Sequence, residues 1–168
     1  QHVLSGSDAS VLPVVHEAVT HGDLHGGNLF VSRDYAWAID FERVGPGHAL
    51  RDFCELEVDI LTRLALLRGS TEEFIGMVQA VAAPASPDAA LGAEMKNLPP
   101  GAHKALIVIT EIRRMAHRIV NFSDHREYLW GVMLDALFVS LLNAPQPRQR
   151  ERAYILASLL CQRLENWS

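Results

Sequence analysis

Cysteine is nearly absent: Cys54 and Cys161 are the only two in 168 residues, and they lie far apart. Free thiols in a reducing, cytoplasmic compartment follow from that scarcity, with a single bridge as the alternative. Surplus positive charge is missing as well. The formal net charge of -5 excludes a general nucleic-acid or anionic-membrane binder, and eight histidines offset it only at acidic pH. No apolar run is long: residues 129–142 and 154–161 are short or interrupted by Asp135, below the roughly 20 residues that span a bilayer, and read as core helices. No targeting signal is visible, and the chain starts at Gln1 rather than methionine, which predicts a fragment or a trimmed chain. What remains is a composition 49% hydrophobic over a length suited to one domain, residues 1–168, with a buried core.

The informative stretch is His21-Gly22-Asp23-Leu24-His25-Gly26-Gly27-Asn28, followed by Ala38-Ile39-Asp40-Phe41-Glu42. Its glycines give a loop the backbone freedom to aim several side chains at one point. Residues 29–31 and 36–39 are apolar on both faces and joined by Ser32-Arg33-Asp34-Tyr35, which predicts a hairpin of two short strands covered on both sides. Such a hairpin starts at Asn28 and ends at Asp40, so the two lie side by side. Residues 21–42 thus form one candidate site.

The rest reads as helices. Before the loop, Asp8 or Ser10 is a candidate cap for a helix with Pro13 in its first turn. Residues 43–48 are a loop by their glycine and proline content. A helix over 49–68 has Phe53, Leu56, Ile60, Leu64 and Leu67 on its apolar face, with Arg51, Asp52, Glu55, Asp59 and Arg63 opposite. A second helix over 71–82 is capped by Ser70 or Thr71 with Glu73 in its first turn. Residues 83–101 read as an exposed, mobile connection. Three helices follow, over 102–122, 126–143 and 148–167; the first turns Ala105, Val108, Ile109, Ile112, Ala116 and Ile119 inward, and the second is apolar nearly all round and so central. The helical part spans 49–168, and the fold class is mainly α with a small β-hairpin.

Glu57 projects into the apolar face of the 49–68 helix. An unpaired carboxylate there costs several kcal/mol, so it predicts a buried pair with an arginine or histidine, Arg113 and Arg114 being the candidates. The basic group Arg113, Arg114, His117, Arg118, His125 and Arg126 otherwise reads as a solvated helix face. Arg148, Arg150 and Arg152 stand at the unfavourable end of a helix dipole.

Taken alone, Asp23-x-x-x-x-Asn28 is a turn or a cap. With His-Gly-Asp at its start and Ile-Asp-Phe after a hairpin-sized gap, it carries the pattern of phosphoryl transfer, which needs a carboxylate to orient the substrate hydroxyl and hard oxygen ligands for Mg²⁺. Zinc at His21 and His25 lacks a nearby third ligand. A two-metal phosphoesterase needs histidine motifs that are absent.

The two segments resemble the catalytic core of the aminoglycoside phosphotransferase and choline kinase-like superfamily, closely over 21–59 and only in architecture beyond. The resemblance implies the carboxy-terminal lobe of a protein-kinase-like fold and ATP- and Mg²⁺-dependent phosphorylation of a small-molecule hydroxyl. It implies Asp23 as catalytic base, Asn28 and Asp40 as ligands of the Mg²⁺ that accompanies ATP, and His21 as a brace of the catalytic loop. Asp52 ties down the backbone behind the loop, and Glu57 and His25 give structural support. Glu42 stands where protein kinases carry glycine. No glycine-rich loop or strand lysine precedes the site, so the amino-terminal lobe is absent. The partners expected are the small-molecule substrate and the missing lobe or other domains of a parent chain, with no nucleic acid and no membrane. The alternative is a catalytically inactive kinase-like interaction or regulatory module.

Overall fold

The computed structural model describes residues 16–65, 69–84, 86, 98–122, 124–143 and 145–167. Five α-helices follow two small antiparallel sheets: α1 (Arg51–Asp59), α2 (Thr71–Ala82), α3 (Pro100–Val120), α4 (His125–Leu141) and α5 (Pro147–Glu165). Local chemistry sets their ends. Ser70 and Glu73 close a full capping box on α2, prolines open α3 and α5, and the Asp124 side chain caps α4. Asn121 ends α3 in the left-handed region, at φ 53°. Helix α1 widens into a π-helical turn, Ile60–Leu64, where the Ala65 N–H donates back to the Ile60 carbonyl at 2.7 Å. The predicted end of this helix, 66–68, and Asp8, Ser10 and Pro13 lie outside the described residues, as does most of the connection predicted over 83–101.

The core lies among the helices, with Leu50, Leu61, Phe74, Met77, Leu106 and Leu129 at its centre. Helix α4 packs chiefly on α5 and α1. At Gly131 a Cβ would lie 2.7 Å from the Cys54 sulfur, so glycine is required where α4 crosses α1. Both cysteines are free, Cys54 buried and Cys161 exposed. Among the described residues no helix is long and apolar enough to cross a membrane.

Several expectations need correction. Strand β1 (Glu17–Thr20) pairs antiparallel with β4 (Gly45–His48), Glu17 opposite His48 and Thr20 opposite Gly45. The predicted 43–48 loop therefore contains a strand. Pro46 is tolerated because each strand of a two-stranded sheet is an edge. The hairpin of β2 (Leu29–Val31) and β3 (Ala36–Ala38) forms in the expected register, Leu29 opposite Ala38. It is not covered on both sides: Phe30 and Val31 are 58% and 76% exposed. Helix α4 is not central all round. Leu129, Val132, Met133 and Ala136 face the core, while Trp130, Leu134, Phe138 and Leu141 remain exposed. On α3, Val108 and Ile119 point outward and Leu106 and Arg113 inward.

The basic residues are also not one solvated face. Arg113 is buried and donates from Nε and Nη2 to both oxygens of Glu57, at 3.0 and 2.6 Å. Its Nη1 donates to the Val81 carbonyl, and the Tyr128 hydroxyl donates to Glu57 at 2.9 Å. One ion pair thus ties α1, α2, α3 and α4 at the centre, and Arg114 takes Glu111 instead. His125 is buried against Phe122, Tyr128 and Trp167, both ring nitrogens without a hydrogen-bond partner. Burial, with Arg113 beside it, pulls its pKa down to about 3. The α5 arginines donate to carbonyls of other segments: Arg152 to Ala65 and Thr62, Arg150 to Ser140 and Arg148 to Gly69. Arg152 and Arg150, at carbonyls in the last turns of the π-helical segment and of α4, are favourably placed for those helix dipoles.

Candidate functional site

The loop between β1 and β2 is held from below by α1. The Asp52 carboxylate accepts the backbone N–H groups of His21 at 2.7 Å and Gly22 at 2.9 Å. One turn on, Glu55 accepts the Leu24 N–H at 2.9 Å, and Asp59 accepts that of Gly26 at 2.8 Å. Residues 52, 55 and 59 share one helix face, so α1 presents a ladder of carboxylates to a descending row of amides. Arginines complete it: Arg51 donates to Glu55 and to the Gly22 carbonyl, and Arg63 donates twice to Asp59. Asp52 thus fastens the backbone at the start of the loop. Glu55 and Asp59 are additions that the sequence reading left as the polar side of a helix.

Within the loop, Gly22 adopts φ +76°, and a Cβ there would meet the Arg43 carbonyl oxygen at 2.5 Å, so only glycine fits. The His25 ring nitrogen Nδ1 accepts the Gly27 N–H and caps the short 3₁₀ turn Gly26–Asn28. His21 is buried, and its Nε2 stands 2.8 Å from the Ile39 carbonyl. A carbonyl only accepts, so Nε2 carries the proton. The same ring packs on Phe41 with centroids 5.0 Å apart.

These bonds join the loop to the far end of the hairpin. The Ile39 N–H donates to the Asn28 carbonyl at 3.0 Å, which sets Asn28 beside the residue preceding Asp40. Asn28 is buried and its amide Nδ2 donates to the Asp23 carbonyl, which leaves Oδ1 as its acceptor atom. Asp40 has φ 65°, unusual for a residue other than glycine, and is exposed. Two hard oxygen donors, an amide and a carboxylate, suit Mg²⁺, which keeps several waters and needs few protein ligands. Among the described residues no group of three or more histidine, cysteine or acidic side chains is placed to hold a metal.

Asp23 lines a cleft of about 1170 Å³, together with Leu24, His25 and Arg43. Arg43 is largely exposed, and its Nη1 lies 3.4 Å from the Asp23 carboxylate, a weak surface pair. The cleft runs between α1 and the outward side of α4, past Trp130, Leu134 and Phe138. Asp135 also lines it. Burial, with Glu55 next in effect, raises its carboxyl pKa to about 7. Neither Asp135 nor the apolar side of α4 was singled out from sequence. Its near-uniform hydrophobicity was the available signal, since one core needs only one face.

A family model described as Ternary complex associated domain 9 matches residues 6–141. No curated protein and no solved structure matches the chain.

Proposed function

We propose that this chain, which belongs to the Ternary complex associated domain 9 family, is the catalytic lobe of a phosphotransferase that uses ATP and Mg²⁺ to phosphorylate a small-molecule hydroxyl. The observation that carries this reading is the pair of bonds joining Ile39 to the loop, to His21 through its carbonyl and to Asn28 through its N–H. They bring the loop and the Asp40 end of the hairpin to one point, with Asp23 on the same loop facing a cleft. The resemblance to the aminoglycoside phosphotransferase and choline kinase-like superfamily rests on the same residues.

In this reading Asp23 accepts a hydrogen bond from the substrate hydroxyl and receives its proton as the oxygen attacks the γ-phosphorus of ATP, whose bond to the β,γ-bridging oxygen breaks to release ADP. Asn28 Oδ1 and the Asp40 carboxylate would hold Mg²⁺, which would supply neutralisation of phosphate charge when bound. His21 keeps Ile39 against the loop, and the α1 carboxylates keep the loop still. Such a site works by positioning, which the hydrogen-bonded frame provides.

The test uses the intact parent protein. Mg²⁺-ATP is expected to bind wild type and to bind Asp40→Ala much more weakly; equal binding would sink the metal assignment. Asp23→Asn is expected to retain nucleotide binding and lose about 10²–10⁴-fold in turnover. The isolated 168-residue chain is expected to bind nucleotide weakly without turnover. The family's printed name, with its ternary complex, supports a second reading: an inactive module that works with other components. A parent protein that binds no Mg²⁺-ATP would favour it.

A further inference from the structure

Helix α3 carries an apolar stripe on the side away from the core. Ile107, Glu111, Met115 and Ile119 succeed one another along it at i+4 spacing, with Val108 and Arg118 beside them. Ile107 is 57% exposed and Ile119 is 71% exposed, and Val108 and Met115 are exposed with them. The stripe lies opposite Arg113, which turns inward to Glu57. Single apolar side chains on a surface are ordinary, but four along one helix face form a patch that marks a place of contact. No α3 residue lines the cleft beside Asp23.

Charge narrows what covers it. Glu111 stands in the middle of the stripe; its Oε1 accepts from Arg114 of the same helix at 2.7 Å, and its Oε2 accepts from no described residue. The Arg118 guanidinium is exposed and makes no hydrogen bond or ion pair with a described residue. A helix that lies on a membrane keeps acidic groups out of its apolar side, so Glu111 argues against lipid. It fits a protein surface that brings a cation in among apolar side chains, and α3 is itself such a surface. Ile107 and Ile119 stand six residues before and after Arg113, so the stripe reads nearly alike from either end. Two copies laid antiparallel across a two-fold axis would bring Ile107 of each toward Ile119 of the other and gather both Met115 side chains near the middle. The same arrangement sets each Glu111 on the side of the other copy's Arg118, so that every contact occurs twice.

We propose that the exposed side of α3 is a homodimer contact, in which two copies of the chain pair antiparallel through this stripe and Glu111 and Arg118 of opposite copies set the register. The proposal is independent of the phosphotransfer reading and uses none of the residues of the cleft. One helix pair buries less than the roughly 800 Å² per partner of a stable complex, so the dimer is weak, with a dissociation constant on the order of 10–100 μM.

Sedimentation equilibrium of the intact parent protein tests it, with thermal melts to check the fold of each variant. Wild type is expected to pass from monomer to dimer as its concentration rises. Ile107→Ser/Ile119→Ser, at two exposed sites, should weaken self-association at least about tenfold by removing apolar burial. Glu111→Arg and Arg118→Glu each set like charges against one another across the axis, and each should weaken it by about as much. Mixed in equal amounts, these two single variants should pair with each other as tightly as wild type pairs with itself, because every contact then joins opposite charges. A monomer at every concentration, leaving the stripe to another protein or to residues 87–97 of the chain, would overturn the proposal. So would a dimer indifferent to the α3 substitutions, a mixture that fails to pair, or uptake by anionic phospholipid vesicles in place of self-association. Phosphorylation by the parent protein bears on none of these outcomes, so the two readings stand or fall separately.

Discussion

Glu57 and Arg113 are each tolerable in the core only because the other is there. Glu57→Leu strands a buried guanidinium and is expected to cost about 3–5 kcal/mol, read from urea denaturation. Glu57→Leu/Arg113→Met should recover most of that loss, since a buried pair replaced whole by apolar side chains is often neutral. A double variant as unstable as the single would show that the pair is not the unit. Glu57 was legible in the sequence because a carboxylate broke an apolar row. Arg113 was legible as one of two candidate partners: it continues the row of Ile109 and Ala116 at i+4 and i+7, all three buried, while Arg114 does not. The run of basic neighbours kept both candidates open, because composition shows charge but not helical phase. Asp40 is different. Its left-handed backbone depends on how the hairpin meets the next 3₁₀ turn, Phe41–Arg43, and no residue type announces it.

At the scale of elements, the ladder on α1 makes a helix the anvil of a loop. Asp52→Ala is expected to speed amide hydrogen exchange at His21 and Gly22 by about 10–100-fold, the loss of charge-assisted bonds. Leu24 and Gly26, held by Glu55 and Asp59, should change little. Uniform loosening of all four amides would mean that the rungs act together; no change would mean that they do not hold the loop. The helices were readable because period, caps and prolines are local signals. The pairing of β1 with β4 was not. Its partners lie on opposite sides of the loop and hairpin, and Gly45-Pro46-Gly47-His48 has turn chemistry. The site was legible in part for the same reason: motif spacing gave Asp23, Asn28 and Asp40, while the carboxylates supporting them needed the docking of α1 beneath the loop.

At the scale of the whole molecule, the half-buried Asp135 and the buried His125 pull the stability profile in opposite directions. Asp135, held at about 7, keeps its proton in the folded chain where the unfolded chain has lost it, so it makes stability fall as pH rises from about 4 to 7. His125, held at about 3 among Arg113, His117, Asp124, Arg163 and Trp167, stays neutral where the unfolded ring is charged. It makes stability rise with pH between about 3 and 6.5. Between about 4 and 6.5 the two proton differences cancel. Asp135→Asn should uncover the histidine, with stability climbing by about 1.4 kcal/mol per pH unit across that window. His125→Phe should uncover the opposite slope. Guanidinium unfolding at pH 4.5, 5.5 and 6.5 distinguishes them, and parallel profiles for wild type and both variants would refute the assignment.

The close crossing of α1 and α4 has a consequence in kinetics. The Cys54 thiol is sealed against Gly131 at the edge of the cleft, and burial raises its pKa well above the ordinary value, so it is inert while the seam is shut. The exposed thiol of Cys161 reacts at once and serves as an internal standard. Alkylation of Cys54 therefore clocks how often the two helices part, and any molecule seated in the cleft changes the tempo of that clock.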